Sequence, residues 1–95
     1  MARASRFVGK AADIVPSVYI LRSVGTERYY VGCTGDMERR LREHNDGKSK
    51  STKAFRPWEL VHIENYESLI EARRRERALK VTKSRRALTS VIEGD

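Results

Sequence analysis

Two tyrosines stand at spacings that direct their phenol groups toward one place on the molecule. Tyr19 and Tyr30 lie in two β-rich runs that flank the polar segment 24–27, which contains a glycine. Such a segment favours a tight β-hairpin, in which the glycine supplies the positive φ that the connection needs. With residues 24–27 as the loop, Tyr19 pairs with Gly32 and Leu21 pairs with Tyr30. The two phenols are then diagonal neighbours on one face of the hairpin.

An arginine and a histidine are directed toward the same place by the helix that the sequence predicts after the hairpin. Asp36 is a good N-cap, and Asn45-Asp46-Gly47 is typical of a helix end. A guanidinium and an imidazole at inward positions need polar partners, whereas the other arginines of this helix can be solvated. The inward stripe at helical spacing consists of Met37, Arg40, Leu41 and His44.

These residues resemble the GIY-YIG nuclease family. The two tripeptides of the family name correspond to Ser17-Val18-Tyr19, with Ser17 in place of glycine, and to Tyr30-Val31-Gly32, with Val31 in place of isoleucine. Arg40 follows eight residues after that glycine, and His44 comes one helical turn later. The similarity spans roughly residues 17–92 and is close to the small stand-alone bacterial members of the family.

The resemblance implies an endonuclease that hydrolyses phosphodiester bonds in DNA with one divalent cation, Mg²⁺ or Mn²⁺. It also implies that Glu76 binds this metal, because the family carries its metal-binding glutamate just ahead of a Leu-Lys pair. Spacing alone leaves an alternative open, in which Glu76 forms an ordinary ion pair with Lys80 or Arg73. The implied catalytic residues are Tyr19, Tyr30, Arg40, His44 and Glu76.

Each implied catalytic side chain suits one part of phosphodiester hydrolysis. The planar guanidinium of Arg40 suits a phosphate, and Tyr19 or Tyr30 would position or deprotonate the attacking water. A free phenol has a pKa of about 10, so a neighbouring cation must lower it. His44 would orient a tyrosine or the phosphate, or relay a proton, and the sequence leaves these roles open. A thiol nucleophile at Cys33 is disfavoured because nothing orients it.

The predicted fold class is α/β, more specifically α+β. A small three-stranded antiparallel sheet is flanked by helices in the order β-β-α-β-α-α, with the third strand over 58–64 and Trp58 in the core. Ser68 begins a capping box for the next helix, and Thr82 or Ser84 caps the last one. His62 is interpreted as a structural histidine. We expect a flexible N-terminal tail at residues 1–14 and a single domain at residues 15–93.

The positive charge is concentrated in two segments. The chain has 20 Lys and Arg against 13 Asp and Glu, a net charge of +7. Residues 48–57 hold four basic side chains and no acidic one, which fits a linker or a phosphate-contacting loop. Residues 73–86 hold eight basic side chains, which fits a solvated face or a DNA-binding surface. The predicted nucleic-acid contacts are Lys48, Lys50, Thr52, Lys53, Arg56, Arg73, Arg77, Lys80, Lys83 and Arg85.

The predicted partner is DNA, in flap, branched or nicked form, with RNA less favoured, and the predicted role is in DNA repair or recombination. A partner protein is an alternative means of targeting. The single cysteine excludes an internal disulfide, and no apolar run reaches about 18 residues, so we expect a cytoplasmic protein without a membrane span. We expect a monomer or a weak homodimer. The alternative function is a non-catalytic module that binds RNA or the DNA backbone.

Overall fold

The computed structural model describes residues 5–6, 14–82 and 84–94. Its strands are β1 Ser5–Arg6, β2 Ser17–Ser23, β3 Tyr29–Thr34 and β4 Trp58–Asn65, and its helices are α1 Met37–Asn45, α2 Lys50–Lys53, α3 Leu69–Thr82 and α4 Arg85–Glu93. All strands pair antiparallel in one sheet, in the order β1-β4-β2-β3.

The predicted α+β architecture is confirmed, with the three long strands and three long helices in the expected order. Two short elements are added. Strand β1 pairs with Glu64 and Asn65 of β4, and α2 forms one helical turn in the segment that the sequence predicts as a loop. The backbone carbonyl of Thr52 in α2 accepts a hydrogen bond from Trp58 Nε1 at 2.8 Å, a tertiary contact that local sequence cannot reveal. Apart from β1 and Ile14, the predicted tail at residues 1–14 lies outside the described residues.

The hairpin of β2 and β3 has the predicted register. Tyr19 pairs with Gly32 and Leu21 with Tyr30. The prediction about the loop glycine is wrong, because the positive φ of this loop belongs to Glu27, at 63°. The Glu27 N–H donates to the Ser23 carbonyl at 2.8 Å, so the left-handed residue comes last in the loop. The backbone conformation of Glu27 thus directs the chain into β3, where the pairing with β2 resumes.

Each face of the sheet carries its own core because successive strand residues point to opposite sides. On one face Val18 and Ile20 pack against Ala72 and Leu79 of α3. On the other face Tyr19, Leu21, Trp58 and Ile63 pack with Met37 of α1. A bulge in β4 opposite Ile20 and Leu21 shifts the pairing, so that both Trp58 and Ile63 face the Tyr19 side. Trp58 is therefore a core residue, as predicted.

A buried ionic cluster joins β4 to α3 on the face of the sheet opposite Tyr19 and Tyr30. The carboxylate of Glu64 is 4% exposed and accepts hydrogen bonds from Tyr66 Oη at 2.8 Å and Arg75 Nε at 2.9 Å. His62 Nε2 lies 2.8 Å from the same carboxylate, which confirms its structural role. Burial on its own raises the pKa of Glu64, but the hydrogen bonds from His62, Arg75 and Tyr66 outweigh it and lower the pKa to about 2.

We expect Glu64→Gln to lower the free energy of unfolding by about 3 kcal/mol at neutral pH, because it leaves Arg75 without its buried counter-charge. The lowered pKa means that the carboxylate stabilises the fold fully above its unfolded pKa of about 4.3. This contribution is lost as the pH falls toward about 2. Urea titrations of both proteins from neutral to acidic pH measure it.

Glu59→Gln is the matched control on the same strand, because Glu59 pairs with Arg22 and both side chains are over 40% exposed. Glu59→Gln should lower the free energy of unfolding by less than about 1 kcal/mol. Equal losses at the two positions, or a Glu64 effect that does not shrink in acid, would contradict the role assigned to the cluster.

Candidate active site

A buried chain of hydrogen bonds links β2, α1 and α2. Tyr19 Oη lies 2.8 Å from His44 Nε2, and His44 Nδ1 lies 2.8 Å from Thr52 Oγ1. Tyr19 is 1% exposed, and His44 and Thr52 are fully buried. The helical stripe of α1 places His44 beneath the tyrosine, as its spacing predicts. Both nitrogens of the imidazole therefore have partners.

The second phenol borders the same histidine. The ring of Tyr30 is centred 5.0 Å from the His44 ring and 6.3 Å from the Tyr19 ring. This confirms that Tyr19 and Tyr30 share one face of the sheet. Tyr30 is only half-buried, so its edge of the cluster is open to solvent.

A glycine allows Tyr19 to lie in this position. A Cβ atom at Gly32 would lie 2.3 Å from Tyr19 Oη and 2.4 Å from Cζ. A phenol ring is rigid, so any larger residue at 32 would push the hydroxyl away from His44. The absence of a side chain at Gly32 thus allows Tyr19 Oη to lie 2.8 Å from His44 Nε2.

Burial and one cation determine the protonation of the site. Burial raises the pKa of Tyr19 well above its ordinary value, and the neighbouring Arg40 guanidinium opposes this only in part. Arg40 by itself therefore does not lower the pKa of this phenol below its ordinary value, contrary to the effect predicted for a neighbouring cation. Burial, with the Arg40 charge, lowers the pKa of His44 to about 4. The imidazole is therefore neutral at neutral pH and has one nitrogen that can accept a proton. The Arg40 guanidinium donates to Glu43 at 2.9 Å and is 31% exposed, so a ligand can reach it.

Glu76 lies on α3, on the other side of the edge strand β3. Its carboxylate is 21% exposed and pairs with Lys80 at 3.0 Å, which is the ion pair that the spacing left open. The pKa of the Cys33 thiol is raised by burial and then by the charge of Glu76, and the same charge contributes to the raised pKa of Tyr19. Because β3 ends the sheet, the Glu76 charge acts on groups of both faces. In the described part of the chain, no three metal-ligating side chains come together.

Comparison with known proteins identifies the family of this arrangement. Residues 15–88 match the family model described as the GIY-YIG catalytic domain. The chain belongs to the GIY-YIG family. Its domain is thus one of the GIY-YIG nuclease superfamily, as the sequence motifs indicated.

The chain is similar to several small proteins named only UPF0213 protein. One from Syntrophus aciditrophicus is 45% identical over 65 residues, which cover 66% of this chain and 74% of the relative. One from Halobacterium salinarum is also 45% identical over 65 residues, 66% of this chain and 82% of the relative. One from Bacillus velezensis is 44% identical over 52 residues, 54% of this chain and 52% of the relative. These names state no activity, and no solved structure matches the chain.

The predicted nucleic-acid contacts differ in how exposed their side chains are. Lys83 lies outside the described residues. Thr52 does not fit its predicted phosphate contact, because it is buried and its hydroxyl is bonded to His44. Arg85 lies over the Tyr29 ring and donates to Glu27 at 3.3 Å. The predicted contacts with exposed side chains are Lys48, Lys50, Lys53, Arg56, Arg73, Arg77, Lys80 and Arg85.

The sequence did not reveal the contact between Thr52 and His44. These residues lie eight positions apart, on two helices separated by a turn, so no helical or strand period relates them. The available signal was the second nitrogen of an inward histidine, which requires a polar partner.

No helix within the described ranges is long and apolar enough to cross a membrane.

Proposed function

We propose that this GIY-YIG protein is a divalent-metal-dependent endonuclease that hydrolyses phosphodiester bonds in DNA. The observation that carries the proposal is the buried Tyr19–His44 hydrogen bond beside the half-buried guanidinium of Arg40. A phenol that has its own proton acceptor, next to a cation suited to phosphate, is equipped for attack by water on a phosphodiester.

Tyr19 is the better candidate for deprotonating the water, because its hydroxyl contacts His44 directly. As the water oxygen attacks phosphorus, its proton passes to Tyr19 and the phenol proton passes to His44 Nε2. Arg40 binds the phosphoryl oxygens and stabilises their charge, and the bond from phosphorus to the leaving oxygen breaks as that oxygen takes a proton from solvent water. Tyr30, at the solvent edge, positions the water or the phosphate.

The donor chemistry of Glu76 fits one Mg²⁺ or Mn²⁺ ion. Its hard carboxylate oxygens suit such ions, which accept one protein carboxylate while water and phosphate fill the other positions. The charge of Glu76 also acts on Tyr19. Binding requires that Lys80 release the carboxylate. When bound, the ion neutralises phosphate charge and stabilises the leaving oxygen.

The experiment that tests this function is nicking of supercoiled plasmid DNA. Purified protein is incubated with Mg²⁺, with Mn²⁺, or with EDTA, and relaxed and linear products are measured over time. Cleavage with either metal and none with EDTA is expected. DNA binding without cleavage under all three conditions would reject the nuclease and favour the non-catalytic binding module.

We further propose that the enzyme selects DNA by shape or through a partner protein, in repair or recombination. Sequence-specific recognition buries roughly 1,000 Å² or more of protein, and the exposed basic side chains suit backbone contact instead. We expect affinity to fall with salt at a log–log slope of about −0.9 per neutralised phosphate.

Flaps, branches and nicks should be cut faster than plain duplex of identical sequence. A panel of labelled substrates at several salt concentrations measures both effects. A single recognition sequence cut in plain duplex, with little salt dependence, would contradict shape selection.

A further inference from the structure

The hydroxyl of Thr52 has one proton and two neighbours that compete for it. Thr52 Oγ1 donates to the Ser49 carbonyl at 3.4 Å and also lies 2.8 Å from His44 Nδ1. A carbonyl oxygen can only accept. With its proton on the Ser49 side, the Thr52 oxygen accepts from His44, and Nδ1 carries the imidazole proton. With its proton on the His44 side, Thr52 would instead donate to an unprotonated Nδ1.

The same bond fixes the role of the other imidazole nitrogen. A neutral histidine has a single N–H, so protonated Nδ1 leaves Nε2 as an acceptor. Nε2 faces Tyr19 Oη at 2.8 Å. In this arrangement hydrogen bonds run in one direction from Tyr19 through His44 and Thr52 to the Ser49 carbonyl. In the other tautomer the imidazole would donate to Tyr19 and could not take its proton.

Helix α2, which carries Thr52, is hydrogen-bonded to its neighbours in the fold. Trp58 Nε1 donates to the Thr52 carbonyl at 2.8 Å, and the Trp58 N–H donates to Asn45 Oδ1 at 2.7 Å. These bonds tie α2 to β4 and to the end of α1. Within α2 and its flanks, the exposed Lys50 and Lys53 stand beside the buried threonine.

We propose that Thr52 is a positioning residue that holds His44 in the Nδ1–H tautomer, so that Nε2 accepts the proton of Tyr19. The effect of this tautomer on catalysis rests on the proposed nuclease function. The role is distinct from the phosphate contact predicted for Thr52. It makes the basic segment around α2 a structural part of the active site as well as a DNA-binding candidate.

The other groups that face the imidazole do not fix its tautomer. The Tyr30 ring contacts it edge to face, and Arg40 and Glu43 of α1 act on it through charge. Tyr19 can donate or accept, so it fits either tautomer. Thr52 differs from Tyr19 in having a second acceptor for its proton, the Ser49 carbonyl, and this favours the arrangement in which Thr52 accepts from Nδ1.

The test reads the tautomer directly by ¹⁵N NMR of histidine-labelled protein without DNA. The chain has two histidines, and His62, bonded to Glu64, serves as an internal reference. We expect His44 of the wild type to be protonated at Nδ1 only. Thr52→Ser should keep this tautomer, and Thr52→Val should lose it, with the His62 signals unchanged in both.

Cleavage is measured on the same three proteins. Thr52→Val should lower the single-turnover rate by about 10–10²-fold, and Thr52→Ser should restore most of it. A wild-type His44 protonated at Nε2, or a valine variant with the wild-type tautomer, would overturn the proposal. If no variant cleaves DNA, the nuclease proposal fails, whereas the tautomer signals still decide whether Thr52 orients His44.

Discussion

Replacement of Glu76 by glutamine is expected to lower the single-turnover rate of DNA cleavage by at least about 10³-fold. A metal ion at a phosphoryl group is worth several kcal/mol, and about 1.4 kcal/mol corresponds to a factor of ten in rate. Glutamine keeps the shape of the side chain but removes the charge that holds the cation. DNA affinity should stay the same or rise, because a negative charge leaves a basic surface. Rapid-quench cleavage and fluorescence anisotropy measure the two quantities.

Glu71→Gln is the matched control on the same helix. The Glu71 N–H donates to Ser68 Oγ at 3.2 Å, a backbone bond that the substitution keeps. The substitution should lower the free energy of unfolding by about 1 kcal/mol or less and leave the cleavage rate near that of the wild type. Wild-type cleavage by the Glu76 variant would remove this carboxylate from the mechanism.

Tyr19→Phe is expected to lower the cleavage rate by about 10²–10⁴-fold, the usual contribution of a general base. The variant leaves His44 Nε2 buried without its partner, which should lower the free energy of unfolding by about 1–3 kcal/mol without unfolding the protein. The wild-type rate should also fall as the pH approaches about 4, because His44 then becomes protonated and can no longer accept the proton. Single-turnover rates across the pH range and thermal unfolding measure these effects.

Tyr29→Phe is the control for removal of a phenol hydroxyl. Tyr29 belongs to the other face of the sheet, where its hydroxyl lies 3.3 Å from Thr89 Oγ1 of α4. It should change the cleavage rate less than tenfold. A Tyr19 variant that cleaves as fast as the Tyr29 variant would show that another group, such as Tyr30, deprotonates the water.

The local geometry of the site was predictable because it follows from short-range rules. The constant sum of partner numbers in an antiparallel pair placed Tyr19 opposite Gly32, and the helical period placed His44 on the inward side of α1. Once one face of a sheet is buried, a shifted register would expose its whole apolar set. These positions therefore depend on little beyond the sequence nearby.

Other features depend on contacts between distant segments. The turn α2 is tied down by Trp58, and the buried Glu64 cluster joins β4 to Arg75 of α3. A single sequence gives no pattern for such pairs, because neither helical nor strand spacing indicates which distant residue each side chain contacts. The positive φ at Glu27 was missed for a related reason, since the direction of the two strands decided which loop residue turns the chain.

Glu76 illustrates both what short-range spacing predicts and what only the packing of distant segments decides. Its spacing correctly allowed an ion pair with Lys80, which needs only one helical turn. The effect of its charge on Tyr19 depends on how α3 packs on the sheet, and only the family resemblance linked the two residues before the fold was known.

The central claim is that Glu76 and Tyr19 belong to one reaction centre. Titration of ¹⁵N-labelled protein with Mn²⁺, which broadens the NMR signals of nearby atoms, tests this claim most directly. In the wild type, broadening should centre on Glu76 and extend to Cys33, Gly32 and Tyr19. It should disappear in Glu76→Gln and persist in Glu71→Gln. Broadening that is unchanged in Glu76→Gln, or that centres on Glu71 and leaves Tyr19 sharp, would contradict a shared metal and proton-transfer site.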